Sequence, residues 1–184
     1  DRRPRGRAPP RARACRRKAA LTDAAETAPF ESPPFAIEPD WIDYNGHLNM
    51  AYYHVMFDRT IDLAFEAIDV GPSYVAREGR SFFTVETHVC YLDEVHRDDR
   101  VVVALRVLGH DDKRVHLYEE MTKAGAAAPA ATAEQLLIHM DLAERRVVPF
   151  APDVKERIAR FAAPHAALAW PERAGRRVEL KRKR

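Results

Sequence analysis

The stretch NMAYYHVMFDRTIDLAFEAIDVGP, residues 49–72, decides the fold because it contains a long amphipathic segment. Asn49 is a favourable N-cap residue, and Gly71 followed by Pro72 is a stop signal for a helix. The core-facing positions recur at helical spacing, at Tyr53, Met56, Phe57, Thr60, Ile61, Ala64, Phe65 and Ile68. This spacing predicts about five turns of helix at roughly 3.6 residues per turn. Such a helix must bury its apolar stripe against a second layer.

Strands are predicted to form that second layer. A short candidate strand, residues 35–39, precedes the helix, and longer ones follow it, at residues 81–92, 99–110, 113–124 and within 132–148. The polar turn at residues 110–112 predicts a hairpin, and successive hairpins make an antiparallel sheet. A short helix is predicted from Pro152 to Ala162. The fold class is therefore α+β, with one long helix wrapped by a curved antiparallel sheet.

The predicted sheet has edges and further apolar positions that invite pairing with a second copy of the chain. Residues 81–92 carry apolar side chains in both alternating sets, so both faces of this strand are expected to be partly covered. We therefore expect a dimer.

Charge divides the chain into a body and two basic ends. Residues 1–18 hold nine Arg and Lys, residues 172–184 hold seven, and the rest holds 14 basic and 25 acidic residues. We predict a disordered basic segment over residues 1–34, a domain over 35–163 and a basic tail over 164–184. Such ends attract polyanions, but no aromatic residue lies among the first eighteen to stack on bases, so nucleic-acid binding is not expected.

The remaining composition points to a cytoplasmic protein without a membrane span. Cys15 and Cys90 do not make a disulfide framework, which fits a reducing compartment, and Cys90 is typical of a small core residue. No apolar run approaches the roughly 20 residues that span a bilayer. The motifs GxGxxG, GxxxxGK, GxSxG and HExxH do not occur, so nucleotide, serine-hydrolase and zinc chemistry are not indicated and no metal site is predicted.

The stretch DYNGHLN, residues 43–49, can supply the parts of a hydrolytic site. Asp43 offers a carboxylate that could act as a nucleophile or as the base for a water molecule. The first N–H groups of the helix, around Asn49 and Met50, are free donors that could hold an oxyanion. The spacing alone equally fits an Asx-turn at Asp43, a turn at Gly46 and a plain N-cap.

The stretch DYNGHLNMAYY, residues 43–53, resembles the D-x-N-x-H-x-N-x-x-x-Y segment of the hot-dog-fold thioesterases, and the resemblance covers about residues 35–148. The segments FTVETHVCYLDEVHRDDRV, LGHDDKRVHLYEEM and ATAEQLLIHMD look like the betainyl-CoA thioesterases of carnitine breakdown. The resemblance implies a hot-dog fold, hydrolysis of an acyl-CoA, and a homodimer or homotetramer. It implies no cofactor, since coenzyme A is part of the substrate.

The resemblance also assigns expected roles. Asp43 matches the nucleophile or general base, and Met50, with Asn49 beside it, matches the oxyanion donor. Asn45 and His47 match supporting or catalytic residues of the plant acyl-ACP thioesterases, a branch of the same group. A later glutamate of that branch falls near Glu94, and Glu86 or His88 could serve instead. Expected substrate-binding residues are Tyr44, Tyr53, Phe83, Glu86 and His88.

The aromatic residues near these positions have two interpretations. They could form core packing, or some could surround a quaternary ammonium through cation–π contact; they are Trp41, Tyr44, Tyr52, Tyr53, Phe82 and Phe83. Two other functions stay open at this stage: a hot-dog hydratase or dehydratase acting on acyl-CoA, and a non-catalytic acyl-CoA binding protein.

Overall fold

The long helix forms where the spacing predicts it. The structure, a computed structural model, describes residues 28–180. Helix α1 runs over Met50–Ala67, and the Asn49 side chain caps it by accepting a hydrogen bond from the Ala51 N–H at 3.0 Å. The chain turns back so tightly after the helix that a Cβ on Gly71 would lie 2.5 Å from the Glu66 backbone nitrogen. Only glycine fits at that position.

The strands form one antiparallel sheet. The elements are β1 (Phe30–Glu31), β2 (Phe35–Ala36), α1, α2 (Pro72–Glu78), β3 (Arg80–Tyr91), β4 (Arg100–His110), β5 (Arg114–Lys123), β6 (Ala131–Asp141), β7 (Arg146–Val147) and α3 (Pro152–Ala162). The main strand order is β1-β4-β5-β6-β3, with β2 also paired to β4 and β7 to β6. The predicted hairpin at residues 110–112 and the predicted helix α3 are confirmed, whereas α2 was not predicted from the sequence.

Helix α1 lies across one face of the sheet and divides the core into two clusters. Phe65 packs with residues of β4, β5 and α3, whereas Met56 and Phe57 pack with residues from β4, β5 and the loop before β6. Both Met56 and Phe57 are almost completely buried. Burying a side chain of this size stabilises a fold by about 1.5–3 kcal/mol, so this stripe fixes the helix on the sheet and places its N-terminus.

Described residues on both sides of the predicted domain pack against it. Phe30, inside the segment predicted to be disordered, is fully buried and pairs with Leu105 of β4. Beyond α3, residues Ala163–Ala167 form a 3-10 helix, and buried His165 accepts a hydrogen bond from the Val107 N–H at 3.1 Å. These contacts lie outside the predicted boundaries 35–163, which stay a prediction. The rest of the predicted N-terminal segment, residues 1–27, lies outside the described residues.

Two further predictions about the strands need correction. The candidate strand over residues 35–39 is reduced to Phe35–Ala36, because Pro39 starts a short 3-10 helix that ends at Trp41. Strand β3 was expected to be partly covered on both faces, but the middle of it, from Phe83 to Thr87, is exposed. The reason is its position: β3 pairs with β6 on one side and forms an edge of the sheet.

Among the described helices, none is long and apolar enough to cross a membrane.

Candidate active site

The segment before α1 forms a tight loop that is fixed at both ends. Ile42 and Leu48 form an isolated antiparallel bridge, and the Asp43 N–H donates to the His47 carbonyl at 3.0 Å. The loop reverses at Gly46, which has a φ of +86°, a conformation that L side chains rarely adopt. The Leu48 N–H donates to the Val95 carbonyl at 2.7 Å, which ties the loop to the segment after β3. The predicted turn therefore exists, and it is anchored.

A cavity of about 710 Å³ opens between this loop, the start of α1 and the end of β3. Its lining residues are Asp43, Tyr44, His47, Leu48, Asn49, Met50, Tyr53, Tyr91, Leu92, Asp93 and Glu94. Six of the ten predicted site residues belong to this set, and Glu94, which the resemblance placed nearby, belongs to it as well. Asn45 is not in the lining but contacts the site through its backbone.

The Asp43 carboxylate is held at the edge of the cavity. Its Oδ1 atom accepts a hydrogen bond from the Asn45 N–H at 2.8 Å, which is the Asx-turn that the spacing allowed. The side chain is 16% exposed, whereas His47 is 32% exposed with its Nδ1 atom 3.9 Å from Oδ1. Within the described part of the chain, no hydrogen-bond donor is assigned to Oδ2. Asp43 is therefore oriented by its own turn and keeps one oxygen available for chemistry.

The start of α1 presents one free donor at the cavity that Asp43 also lines. The Ala51 N–H donates to the Asn49 side chain, and the Tyr52 N–H donates to the Asn49 carbonyl at 3.0 Å. Among the described residues no acceptor is assigned to the Met50 N–H. The first N–H groups of a helix also carry partial positive charge. Asn49 thus acts as the cap, and Met50 carries the donor that can face a substrate oxygen.

Two tyrosines form the wall of the cavity next to this donor. The rings of Tyr53 and Tyr91 meet edge to face, with centroids 5.1 Å apart and planes at 80°. The Tyr91 hydroxyl oxygen lies 3.5 Å from the Met50 carbonyl oxygen and 3.4 Å from His54 Nε2. Burial raises the pKa of both tyrosines, and nearby Asp93 and Glu94 add to the effect on Tyr53. Both hydroxyl groups therefore stay protonated at neutral pH.

Tyr91, Leu92 and Asp93 were not predicted as site residues. In the sequence, only the acidic end of the YLDE segment, residues 91–94, suggests a functional role. The approach of this segment to α1 depends on tertiary packing, which the residue pattern does not show. Asp93 pairs with Lys123 at 2.6 Å, and hydrogen bonds from that ammonium and from the Glu94 N–H lower its pKa. The Lys123 ammonium also donates to the Glu94 carbonyl at 2.9 Å, which fixes this segment to β5.

The structure does not bring three predicted substrate-binding residues to this cavity. Glu86 and His88 line a second cavity, of about 410 Å³, with residues of β5, β6 and the C-terminal segment. Their side chains lie on the sheet face opposite α1, because they pair with Leu136 and Glu134 of β6, which alternate with the buried Gln135 and Leu137. Phe83 is exposed on β3 and lines neither cavity. Within one protomer, these three residues are separate from Asp43.

The other aromatic residues have structural roles. Trp41 stacks on Tyr52 with centroids 5.1 Å apart, and the Arg59 guanidinium already covers the Trp41 ring at 5.3 Å. Phe82 packs edge to face against Phe65 in the core. Across residues 28–180, no group of three or more His, Cys, Asp or Glu side chains is arranged to hold a metal ion.

The amino-acid sequence is similar to those of known thioesterases. The profile of the thioesterase-like superfamily matches residues 37–158. Betainyl-CoA thioesterase of Pseudomonas aeruginosa is 36% identical over 151 residues, covering 82% of this chain and 93% of that protein. L-carnitine dehydrogenase/betainyl-CoA thioesterase of Rhizobium meliloti is 36% identical over 142 residues, covering 77% of this chain and 28% of that longer protein.

Solved structures share the architecture. A candidate thioesterase of Pseudomonas putida KT2440 is 30% identical, with a TM-score of 0.73 over 85% of this chain and 99% of that one. A Staphylococcus aureus protein, solved in complex with CoA, is 24% identical, with a TM-score of 0.77 over 83% of this chain and 96% of that one. The likeness to the Staphylococcus aureus protein concerns the fold alone.

One long helix packed on a curved antiparallel sheet is the hot-dog fold, which this chain shares with the solved candidate thioesterase. The chain belongs to the thioesterase-like superfamily. The predicted fold class, the predicted thioesterase enzyme and the predicted resemblance to betainyl-CoA thioesterases are confirmed.

Proposed function

We propose that the protein hydrolyses a small acyl-CoA to the free acid and coenzyme A, and that betainyl-CoA is its first candidate substrate. The meeting of the Asp43 carboxylate and the Met50 N–H in one cavity carries this proposal. The 36% identity to a betainyl-CoA thioesterase over 93% of that relative's length supports the choice of acyl group.

The proposed reaction uses the two groups on opposite sides of the thioester carbon. The carbonyl oxygen points at the Met50 N–H, which holds the negative charge that develops on it. Asp43 then either removes a proton from the attacking water or attacks the carbon itself. In the first case water adds to the carbonyl carbon and the C–S bond breaks to release the CoA thiolate. In the second, the Asp43 carboxylate displaces the CoA thiolate to form an acyl–Asp43 anhydride, and water then hydrolyses this anhydride to the acid and free Asp43. Both routes consume one water and give one acid and one thiol.

His47 and Asn45 have supporting roles in this proposal. The backbone N–H of Asn45 orients the carboxylate at 2.8 Å. His47 lies 3.9 Å from the same oxygen, so it can act through an intervening water rather than by direct contact. Glu94 is placed on the cavity wall and could hold that water or a substrate group.

The proposed active form is a homodimer or a homotetramer. Strand β3 has 12 residues and one paired edge within the protomer, and long exposed edges template pairing with another chain. Pairing of two β3 edges would extend the sheet across a twofold axis.

A cytoplasmic location, expected from the cysteine usage, stays a prediction.

The test is thiol release from a panel of acyl-CoAs that includes betainyl-CoA. Wild type should hydrolyse at least one small acyl-CoA, and Asp43→Asn should lower its kcat/KM on the order of a hundredfold or more, the usual contribution of a positioned base. Asp98→Asn, on an exposed loop outside the cavity lining, is the matched control and should retain full activity. Absence of hydrolysis by wild type, or full activity in Asp43→Asn, would overturn the proposal.

A further inference from the structure

The chemistry of a betainyl thioester restricts where its charge can lie. This step rests on the proposed function. The quaternary nitrogen is joined to the carbonyl carbon through one methylene, so by ordinary bond lengths and angles the two atoms are about 2.5 Å apart. If the carbonyl oxygen faces the Met50 N–H, the ammonium group must lie within the same cavity, against the first turn of α1.

Tyr91 is the side chain best placed to meet that group. Its hydroxyl reaches the Met50 carbonyl, so its ring lies along the first turn of the helix. The residue is 45% exposed, which leaves part of the ring open to the cavity. Tyr53 is 4% exposed and supports the Tyr91 ring from behind in an edge-to-face contact. The pair is therefore a fixed wall with one accessible aromatic ring.

The charge of the cavity agrees with a cationic acyl group. Among its eleven lining residues there are three carboxylates, Asp43, Asp93 and Glu94, and no Lys or Arg. Lys123 compensates Asp93 through its ion pair, but the other two carboxylates are not paired with Lys or Arg among the described ion pairs. A neutral or anionic acyl group would gain nothing from such a wall.

The alternative aromatic site is already filled. The Trp41–Tyr52 stack holds the chain's own Arg59 guanidinium over the indole ring, and Arg59 also approaches Glu38 at 3.7 Å. These two aromatics do not line the cavity of Asp43.

We propose that Tyr91, supported by Tyr53, is the specificity-determining residue of this enzyme and binds the quaternary ammonium of a cationic acyl group. A quaternary ammonium has no N–H and cannot form an ordinary hydrogen bond, so an aromatic ring and nearby carboxylates are the groups that recognise it. Asp43 contributes to this recognition as well as to catalysis.

The experiment compares two acyl-CoAs of the same shape. Betainyl-CoA carries a trimethylammonium group, and 3,3-dimethylbutyryl-CoA carries a tert-butyl group in its place. The kcat/KM ratio of the two substrates is measured for wild type, Tyr91→Leu, Tyr91→Phe and the control Trp170→Leu. Trp170 is an exposed aromatic that contacts His116 on the other sheet face. Circular dichroism and thermal unfolding verify that each variant is folded.

The ammonium group also activates the thioester by itself, so the ratio is compared with that of the uncatalysed hydrolysis of the two substrates. Beyond that ratio, we expect wild type to prefer the cationic substrate on the order of tenfold, the size of one desolvated cation–π contact. Tyr91→Leu should bring the ratio close to that of the uncatalysed reactions, mainly through the cationic substrate, whereas Tyr91→Phe and Trp170→Leu should keep the wild-type ratio. If wild type shows no preference beyond the ratio of the uncatalysed reactions, or Tyr91→Leu slows both substrates equally, this inference is wrong and the thioesterase assignment stands. If wild type hydrolyses neither substrate nor any other small acyl-CoA, the proposed function itself fails and this inference with it. The wild-type ratio needs no variant, so a misfolded Tyr91→Leu does not remove the test.

Discussion

The Nδ1 atom of His47 lies 3.9 Å from Oδ1 of Asp43, which is beyond hydrogen-bond range. The two side chains are neighbours across the turn at Gly46, but the carboxylate takes its hydrogen bond from the Asn45 backbone instead. Asp43 is thus oriented without help from the imidazole.

This separation predicts unequal effects of substitution at the two positions. His47→Asn should lower kcat/KM on the best acyl-CoA by roughly tenfold or less, because a group that acts through water contributes less than a base in direct contact. Asp43→Asn should cost on the order of a hundredfold or more. Steady-state thiol release measures both variants. A loss in His47→Asn as large as that in Asp43→Asn would place the imidazole in direct contact with the reacting atoms.

The cap at Asn49 links stability to the donor at Met50. Asn49→Ala removes the acceptor of the Ala51 N–H and should destabilise the fold by about 1 kcal/mol. For a chain of this size that corresponds to a melting temperature lower by roughly 2–4 °C. Because the cap also fixes the first turn of α1, which carries the Met50 N–H, kcat should fall together with the stability. Asn49→Ser, which restores a capping oxygen, should recover both quantities. Recovery of stability without recovery of kcat would give the Asn49 amide its own role in the reaction.

The sequence predicts the features whose determining residues lie close together along the chain. Helix α1 has its cap, its period and its stop within 24 residues, and the loop with Asp43 precedes it directly. Tyr91 and Asp93 reach the same cavity from about forty residues further along, through the pairing of β3 and the packing of α1. Phe30 gives no signal because a single aromatic among Ala and Pro has no period, and its burial depends on β4.

The misplacement of Phe83 has a specific physical cause, whereas Glu86 and His88 already alternate with Tyr91 along β3 and therefore face away from it. The pairing of β3 with β6 shifts register between Thr84 and Glu86, where Val85 forms an irregularity. A single extra residue reverses which alternate side chains face the helix. Simple alternation puts Phe83 on the same face as Tyr91, whereas the observed register separates them. A bulge of this kind leaves no mark in the pattern of residue types.

The exposed edge of β3 predicts that self-association can be abolished without unfolding the protomer. Val85 and Thr87 are exposed in the single chain, and Lys on an edge strand opposes edge-to-edge pairing. The double variant Val85→Lys, Thr87→Lys should therefore lower the particle mass in light scattering to a smaller assembly or a monomer. Glu31→Lys, on β1 at the other edge of the sheet, should keep the wild-type mass. An unchanged mass in the double variant would exclude β3 from the interface.

The buried Glu119 side chain should make the free energy of unfolding depend on pH. The residue is completely buried on β5; its Oε2 atom accepts a hydrogen bond from Gln135 at 2.7 Å, while Oε1 has no partner among the described residues. Burial is the main cause that raises the pKa of this carboxyl well above the usual 4.5, and Asp58 adds to it. Below pH 4.5 the folded and unfolded chains are both protonated at this position. As the pH rises above 4.5 the unfolded chain ionises first, so the stability falls until the pH reaches the folded pKa.

Glu119→Gln removes this titration and keeps an oxygen for the Gln135 amide. Its free energy of unfolding should match that of wild type near pH 4 and exceed it at higher pH, by up to about 1.4 kcal/mol for each pH unit between the two pKa values. Urea unfolding at several pH values from 4 to 8 measures the difference. Glu120→Gln, the next residue and on the opposite sheet face, is the matched control and should follow the wild-type curve. If the Glu119→Gln curve runs parallel to that of wild type across this range, Glu119 does not titrate differently in the folded and unfolded chains, and its burial is compensated by groups that stabilise the carboxylate.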